Sequence, residues 1–400
     1  MPAAVNQIEW VFKLQFWRFD PAECRFPRPH VPVLPRFPAG MPGSGISTKH
    51  RSGFLDGQSV SYSHGRYALT AVLRSLGVGR GKTVLVPAYH CRTMIDPVLR
   101  LGGTAVLFPL LPDLTPDWPR LDACVAASGQ PVALLLPHFF GFPQPVDQVM
   151  AWCGKNGVAY VEDCSHALFG EHDGKPIGSF GDGAIASPYK FFACEDGGMA
   201  RGAMDGMPSV RQAPKLENEL RGIWHSMQKL LQGAGKTLPS TDLTDEPKPC
   251  WKDETIDEAG ISRQYDPAVE ERQALRWSRL IMKGSSIDRI ASARRRNYLA
   301  WLEAVSGLQG CRPLFPQFPE TVVPYMFPLW LDDAERVFLR LKRAGLPIFR
   351  WDELAVSDCE VSRAARLGLI HLPCHQGIGQ PELSWMIETL RRALNERGAL

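Results

Sequence analysis

Thr83-Val84-Leu85-Val86-Pro87 is the stretch on which the fold turns. It is a short apolar run bounded by Gly81 and closed by a proline, which predicts a buried strand. On its N-terminal side, Arg66 to Leu76 carries Leu69, Val72, Leu73 and Leu76 at helical spacing. On its C-terminal side, Ile95 to Leu101 reads as a helix, and Gly102-Gly103 leads into Ala105-Val106-Leu107-Phe108. The alternation continues through Leu134-Leu135-Leu136, a helix near Val146 to Asn156, and Val158-Ala159-Tyr160-Val161. Strand-like segments follow at Ala184-Ile185-Ala186 and Gly198-Met199-Ala200. Short apolar strands alternating with amphipathic helices build βαβ units, so the expectation is an α/β domain with a mostly parallel sheet covered on both faces.

Outward from this core the composition changes. Pro21, Pro27, Pro29, Pro32, Pro35, Pro38 and Pro42 fix φ and remove backbone donors, predicting an extended arm on the surface or on a neighbour. The expected organisation is an N-terminal arm over 1–59 and a large domain over 60–260. Its last part, 201–260, is irregular apart from a helical stretch at Leu216 to Leu231. A long helix from Pro267 to Val305, broken near Gly284, forms a connection over 261–305. A small α+β domain follows over 306–400: strand Tyr325 to Leu331, helix Ala334 to Ala344, strand Pro347 to Arg350, strand Leu369 to Leu372 and helix Pro381 to Arg397.

Composition excludes several classes of function. Lys+Arg total 45 against 42 Asp+Glu, a formal charge of +3, so no strong field favours nucleic acid or anionic lipid. The ten cysteines form no CxxC pair, which reads as reduced thiols rather than a disulfide framework or a zinc site. No apolar run approaches the ~20 residues that span a bilayer. The first residues, Met1-Pro2-Ala3-Ala4-Val5, lack a basic region leading to a cleavage site, so the cytoplasm is the expected compartment.

Ligands of parallel sheets bind at the carboxyl ends of the strands. Asp163 ends one strand, Ser187 and Lys190 follow another, and Ser63-His64-Gly65-Arg66 is a turn at a helix N-terminus, where unspent N–H groups cradle phosphate. A phosphate site, an acid and an amine are the parts that hold pyridoxal phosphate: the amine for its aldehyde, the acid for its pyridine nitrogen. Elsewhere, Arg294-Arg295-Arg296 reads as a solvated helix face, Trp330 and Trp351 as core or pocket wall. His371, Cys374 and His375 lack a third ligand at metal spacing, so no metal is expected.

The segment Val161-Glu162-Asp163-Cys164-Ser165-His166-Ala167 resembles the E-D-C-A-Q-A motif of DegT/StrS-type sugar aminotransferases, fold-type I pyridoxal phosphate enzymes. The resemblance extends through Gly174 to Asp182, Lys190 and Glu195-Asp196-Gly197-Gly198-Met199. Upstream it covers Gly65-Arg66-Tyr67-Ala68-Leu69 with Leu76-Gly77-Val78-Gly79, and Pro137-His138-Phe139-Phe140-Gly141; downstream, Leu372-Pro373-Cys374-His375 is similar to a late L-P motif.

The resemblance implies a seven-stranded-type sheet between helices, a small C-terminal α+β domain and a homodimer. It makes Lys190 the Schiff-base lysine and proton shuttle, and Asp163 the partner of the pyridine nitrogen. Gly65 and Arg66 become phosphate donors, and His166 either a ring contact or a satisfied structural histidine. The family's serine five residues before the lysine is Ile185 here, so Ser187 is the expected phosphate hydroxyl. Its ring-stacking aromatic is Cys91, leaving Tyr89 or His90 to stack. Relatives that dehydrate sugars carry His where this chain has Lys190, so transamination is implied. The substrates implied are an amino acid, L-glutamate, and a nucleotide-activated keto sugar; a cyclitol or other non-sugar aminotransferase, or a non-catalytic binding protein, are the alternatives.

Overall fold

The computed structural model describes residues 14–18, 26–202, 212–233, 254–257 and 260–395. The apolar runs pair into a seven-stranded sheet. Its strands are β1 (Val60–Tyr62), β2 (Thr83–Pro87), β3 (Thr104–Phe108), β4 (Ala133–Pro137), β5 (Ala159–Asp163), β6 (Gly183–Ala186) and β7 (Gly198–Gly202). The spatial order is β1-β7-β6-β5-β4-β2-β3. Strands β2 to β6 are parallel, and β7 and β1 extend one edge with antiparallel pairings.

The two-residue period of a strand sends alternate side chains to opposite faces. Val84, Val86, Leu135, Val161 and Ile185 meet α1 (Gly65–Ser75) and α2 (Arg92–Arg100) on one face. Leu85, Leu134, Leu136 and Tyr160 meet Leu121 of α3 (Trp118–Ser128) and Val149 of α4 (Val146–Asn156) on the other. Every position of β4 is buried, which explains its unbroken apolar sequence. Each fully buried leucine contributes about 1.5–3 kcal/mol relative to exposure.

Beyond α5 (Leu216–Gly233), the expected long helix is interrupted. A 3-10 turn at Pro267–Val269 precedes α6 (Arg276–Lys283) and α7 (Ile287–Val305). The break falls at Gly284-Ser285-Ser286, where Ser286 caps α7 by accepting from Arg289 N–H. A smaller antiparallel sheet, β8 (Cys311–Pro313), β9 (Met326–Leu331) and β10 (Leu369–Pro373), packs with α8 (Ala334–Arg343), α9 (Glu360–Gly368) and α10 (Gln380–Asn395). The expected strand at Pro347 to Arg350 reduces to one bridge, Phe349 to His371, because Pro347 has no N–H to extend a ladder.

Of the proline-rich arm, residues 20–25 lie outside the described residues. The rest runs along its own chain: His30 N–H donates to Gly345 O, Phe37 packs on Trp277, and Gly43 and Gly45 N–H donate to the carbonyls of Gly284 and Ser285. The arm thereby fills the break between α6 and α7. Among the described residues, no helix is long and apolar enough to cross a membrane.

Candidate active site

The loops that follow β2, β5 and β6 share one end of the sheet with the N-terminus of α1. Together they line a cavity: His90 and Cys91 after β2, Pro137 at the end of β4, and Asp163, Ser165 and His166 from β5 onward. Ser187, Tyr189 and Lys190 enter after β6, and His64, Gly65 and Arg66 at α1; Trp351 adds a wall from beside the small sheet. Of the residues predicted from sequence, Gly65, Arg66, His90, Asp163, His166, Ser187 and Lys190 therefore come together. Tyr89 lies outside the lining. Its ring is fully buried against Trp351, with Oη 3.1 Å from His371 Nε2.

Adjacent acids on β5 point to opposite sides. Glu162 is fully buried and saturated. It accepts from the N–H groups of Gly178, Phe180 and Gly181 and lies 3.2 Å from His138 Nε2. Asp163 faces the cavity, 3% exposed, with Oδ1 accepting from Ser165 N–H at 2.8 Å. His90 Nε2 stands 3.5 Å from Asp163 Oδ2, an ion-pair distance that closes no hydrogen bond. Burial opposes ionisation of Asp163, but His90, Lys190 and Ser165 outweigh it and hold the carboxyl below its ordinary value. Burial likewise opposes charging of His90. The Cys91 sulfur and Asp163 outweigh it, raising the imidazole to about 9.

His166 has the opposite fate. Burial, then Lys190, His371 and His90, hold it well below its ordinary value, so it is neutral. Phe140 N–H donates to its Nδ1 at 3.4 Å, which places the proton on Nε2, and its ring stacks on Tyr325 with centroids 4.4 Å apart.

At α1, helical bonding begins with the N–H groups of Tyr67 and Ala68 on His64 O, leaving those of Gly65 and Arg66 without a helical partner. No acid occupies the first turn. A Cβ at Gly65 would sit 2.3 Å from Ser187 Oγ, so only glycine lets the helix end approach that hydroxyl. Ser187 Oγ donates to Ser165 Oγ at 3.0 Å. Buried Ser63 Oγ and His64 Nδ1 have no hydrogen-bond partner at this end. The set suits a tetrahedral anion.

Lys190 ends a short 3-10 turn, Pro188–Lys190, with Nζ over the Tyr325 ring at 5.3 Å from its centroid. The turn is held by Arg294, whose position corrects the expected solvated face. Arg294 is fully buried and donates to the carbonyls of Lys190 (2.7 Å), Pro324 and Tyr325 (both 3.1 Å). Arg295 is half-buried against Phe318, and Arg296 is exposed. Sequence reasoning gave Ser165 no role of its own and read Arg294 as solvated. Arg294 shares the helical phase of Ile290, Tyr298 and Trp301, and that was the available signal.

Residues 54–202 match the model of the DegT/DnrJ/EryC1/StrS aminotransferase family. The chain is 29% identical over 167 residues to a protein of Acidithiobacillus ferrooxidans named UDP-N-acetyl-3-dehydro-alpha-D-glucosamine 3-aminotransferase, covering 41% of this chain and 42% of that protein. It is 31% identical over 166 residues to the erythromycin biosynthesis sensory transduction protein EryC1 of Saccharopolyspora erythraea, covering 40% and 42%. The chain thus spans less than half the length of the curated relatives it matches. Among solved structures, a DegT DnrJ EryC1 StrS aminotransferase from Brucella abortus superposes with a TM-score of 0.58 at 19% identity, over 84% of this chain and 86% of that one. A putative sugar aminotransferase from Streptococcus pneumoniae gives 0.58 at 16%, over 90% and 98%. These identities establish a shared fold. The likeness to the DegT/DnrJ/EryC1/StrS aminotransferase family thus lies in residues 54–202, the part of the chain that carries Lys190, Asp163 and the N-terminus of α1.

Proposed function

We propose that this protein is a cytoplasmic, homodimeric, pyridoxal phosphate-dependent aminotransferase. It would move an amino group from an amino acid, L-glutamate, to a keto group of a nucleotide-activated sugar in two ping-pong half-reactions. The observation that carries this reading is the convergence of Lys190, Asp163 and the N-terminus of α1 on one cavity. The sugar class rests on the name borne by the relative from Acidithiobacillus ferrooxidans.

The residues fit the cofactor. The close approach of Gly65 to Ser187 and the N–H groups at the start of α1 that lack a helical partner suit its phosphate. A buried carboxylate that remains ionised suits a protonated ring nitrogen. When bound, pyridoxal phosphate supplies an aldehyde carbon for an amine and a ring that draws off electrons. Gly65, Arg66 and Ser187 would hold the phosphate, Asp163 would keep the ring nitrogen protonated, and neutral His166 would contact the ring. Lys190 Nζ would hold the aldehyde carbon and then move the proton between the donor carbon and the carbon beside the ring. Holding this amine at the reacting carbon makes proton transfer effectively intramolecular, worth at most roughly 7–11 kcal/mol.

The test is an absorption spectrum of the purified protein with pyridoxal phosphate, before and after L-glutamate. A visible band that forms in wild type, is lost on adding glutamate and never forms in Lys190→Ala is the expected result. Absence of any band in wild type overturns the cofactor assignment. A band indifferent to glutamate and to other amino donors favours a binding protein.

A further inference from the structure

Cys91 stands in the same cavity, and the aminotransferase reading makes no use of it. It is the N-cap of α2, whose first turn carries no acid, so the positive end of the helix faces the residue. Its Sγ lies 3.0 Å from Thr93 Oγ1. The adjoining His90 is 3% exposed and lines the cavity. His90 Nδ1 lies 3.1 Å from the carbonyl of Cys91, which can only accept, so Nδ1 carries a proton. Its Nε2 has no hydrogen-bond partner and faces the Asp163 carboxylate. With acceptors before both nitrogens, the ring is an imidazolium beside the sulfur.

The other charged and titratable groups lining the cavity are Tyr189 and Lys190 after β6, Arg66 and neutral His64 at α1, and Asp163 and neutral His166 from β5. The cations are three and the anion one, and that anion is engaged by Ser165 and His90. Burial opposes ionisation of the Cys91 thiol, but His90 and then Lys190 outweigh it and lower the thiol from its ordinary value. Cys124 and Cys311, also half-buried, move the other way: burial raises both, Cys311 to about 11.

We propose that Cys91 is a nucleophilic modification site that takes small electrophiles, peroxide or haloacetamide, entering the cavity, and that the modified sulfur excludes the cofactor. The exclusion rests on the pyridoxal phosphate reading; the nucleophile does not. With peroxide, the sulfur attacks one oxygen, an S–O bond forms and the O–O bond breaks. The departing hydroxide takes up the proton that the thiol gave up and leaves as water, the sulfur is oxidised to a sulfenic acid and the peroxide is reduced. With iodoacetamide, an S–C bond forms and iodide departs.

The experiment is timed alkylation of the full chain by iodoacetamide near pH 6.5, read by mass spectrometry of each cysteine peptide, with and without saturating pyridoxal phosphate. Cys91 is expected to react about tenfold or more faster than Cys124 and Cys311, because thiolate fraction governs the rate. His90→Asn should slow it about tenfold. Thr93→Val, which leaves Asp163 untouched, should slow it as well, so a misfolded His90 variant does not remove the test. A Cys91 rate at or below those of Cys124 and Cys311 overturns the proposal. Fast alkylation that pyridoxal phosphate does not suppress leaves the nucleophile standing: where the visible band forms it overturns the exclusion alone, and where no band forms it is the cofactor reading that fails.

Discussion

Glu162→Gln isolates what the buried acid next to the cavity contributes. In the native protein, Oε1 accepts from Phe180 and Gly181 N–H, while Oε2 accepts from Gly178 N–H and faces His138 Nε2. His138 Nδ1 accepts from Gln144 N–H, which leaves the ring proton on Nε2 for Glu162. A glutamine amide oxygen replaces Oε1, but its NH2 then meets two donors. Two charge-assisted bonds are lost at about 1.5–3 kcal/mol each, a destabilisation of about 3–6 kcal/mol at neutral pH. The sign with pH follows from Glu162 itself. Burial raises its carboxyl, but His138 and the N–H groups of Gly181 and Gly178 outweigh it, leaving it below the ordinary 4.5. The stabilisation is thus complete above 4.5 and is lost as pH falls through the lowered folded value. Glutamine has no such dependence, so the gap between the proteins should close on acidification. Denaturant unfolding at pH 7 and at several values below 4.5 measures both quantities. A variant within about 1 kcal/mol of wild type at pH 7, or a gap that does not change with pH, would refute the reasoning.

Gly65→Ala puts a Cβ 2.3 Å from Ser187 Oγ and should weaken pyridoxal phosphate binding about tenfold or more in an absorbance titration; wild-type affinity would sink the cradle. Arg294→Met leaves Lys190 O without its guanidinium donor. It should slow the glutamate half-reaction in single-turnover absorbance while Arg294→Lys recovers part of the rate; equal rates in all three proteins would deny Arg294 a positioning role. Burial pushes His375 down to about 3. The unfolded chain therefore takes up a proton from pH 6.5 downward that the folded one refuses, costing about 2 kcal/mol between pH 7 and 5. Unfolding curves of wild type and His375→Asn at the two pH values should differ in slope by that amount, and parallel behaviour would contradict it.

Strands β2, β4, β5 and β6 were legible because each is an apolar run bounded by turn residues, and burial on both faces demands that pattern. Helix α3 was not legible, because Leu121 is its one buried residue and leaves no stripe to read. The cavity was legible where chain position alone decides it, at strand ends such as Asp163 and at the turn before α1. It was opaque where contacts join distant segments. His90 faces Asp163 across two strands that are not neighbours in the sheet, and nothing near residue 90 announces that carboxylate. Tyr89 and His90 were interchangeable in the sequence. In the structure, their side chains diverge, one to His371 and one to the cavity.

Arg294 shows why the small sheet matters to an amine borne by the large one. The turn carrying Lys190 is three residues long, too short to fix its own geometry. Among the described residues, no carboxylate pairs with Arg294; carbonyl oxygens and Gln376 Oε1 take its protons. Burial pushes the guanidinium down to about 10, so its charge is held at a cost that an apolar side chain would not incur. The cost is offset by geometry. One rigid fork binds the turn of Lys190 to Pro324 and Tyr325 ahead of β9, and Tyr325 lies beneath Nζ and stacks on His166. A displacement of the small sheet would therefore move the amine, its aromatic floor and the neutral imidazole together rather than separately.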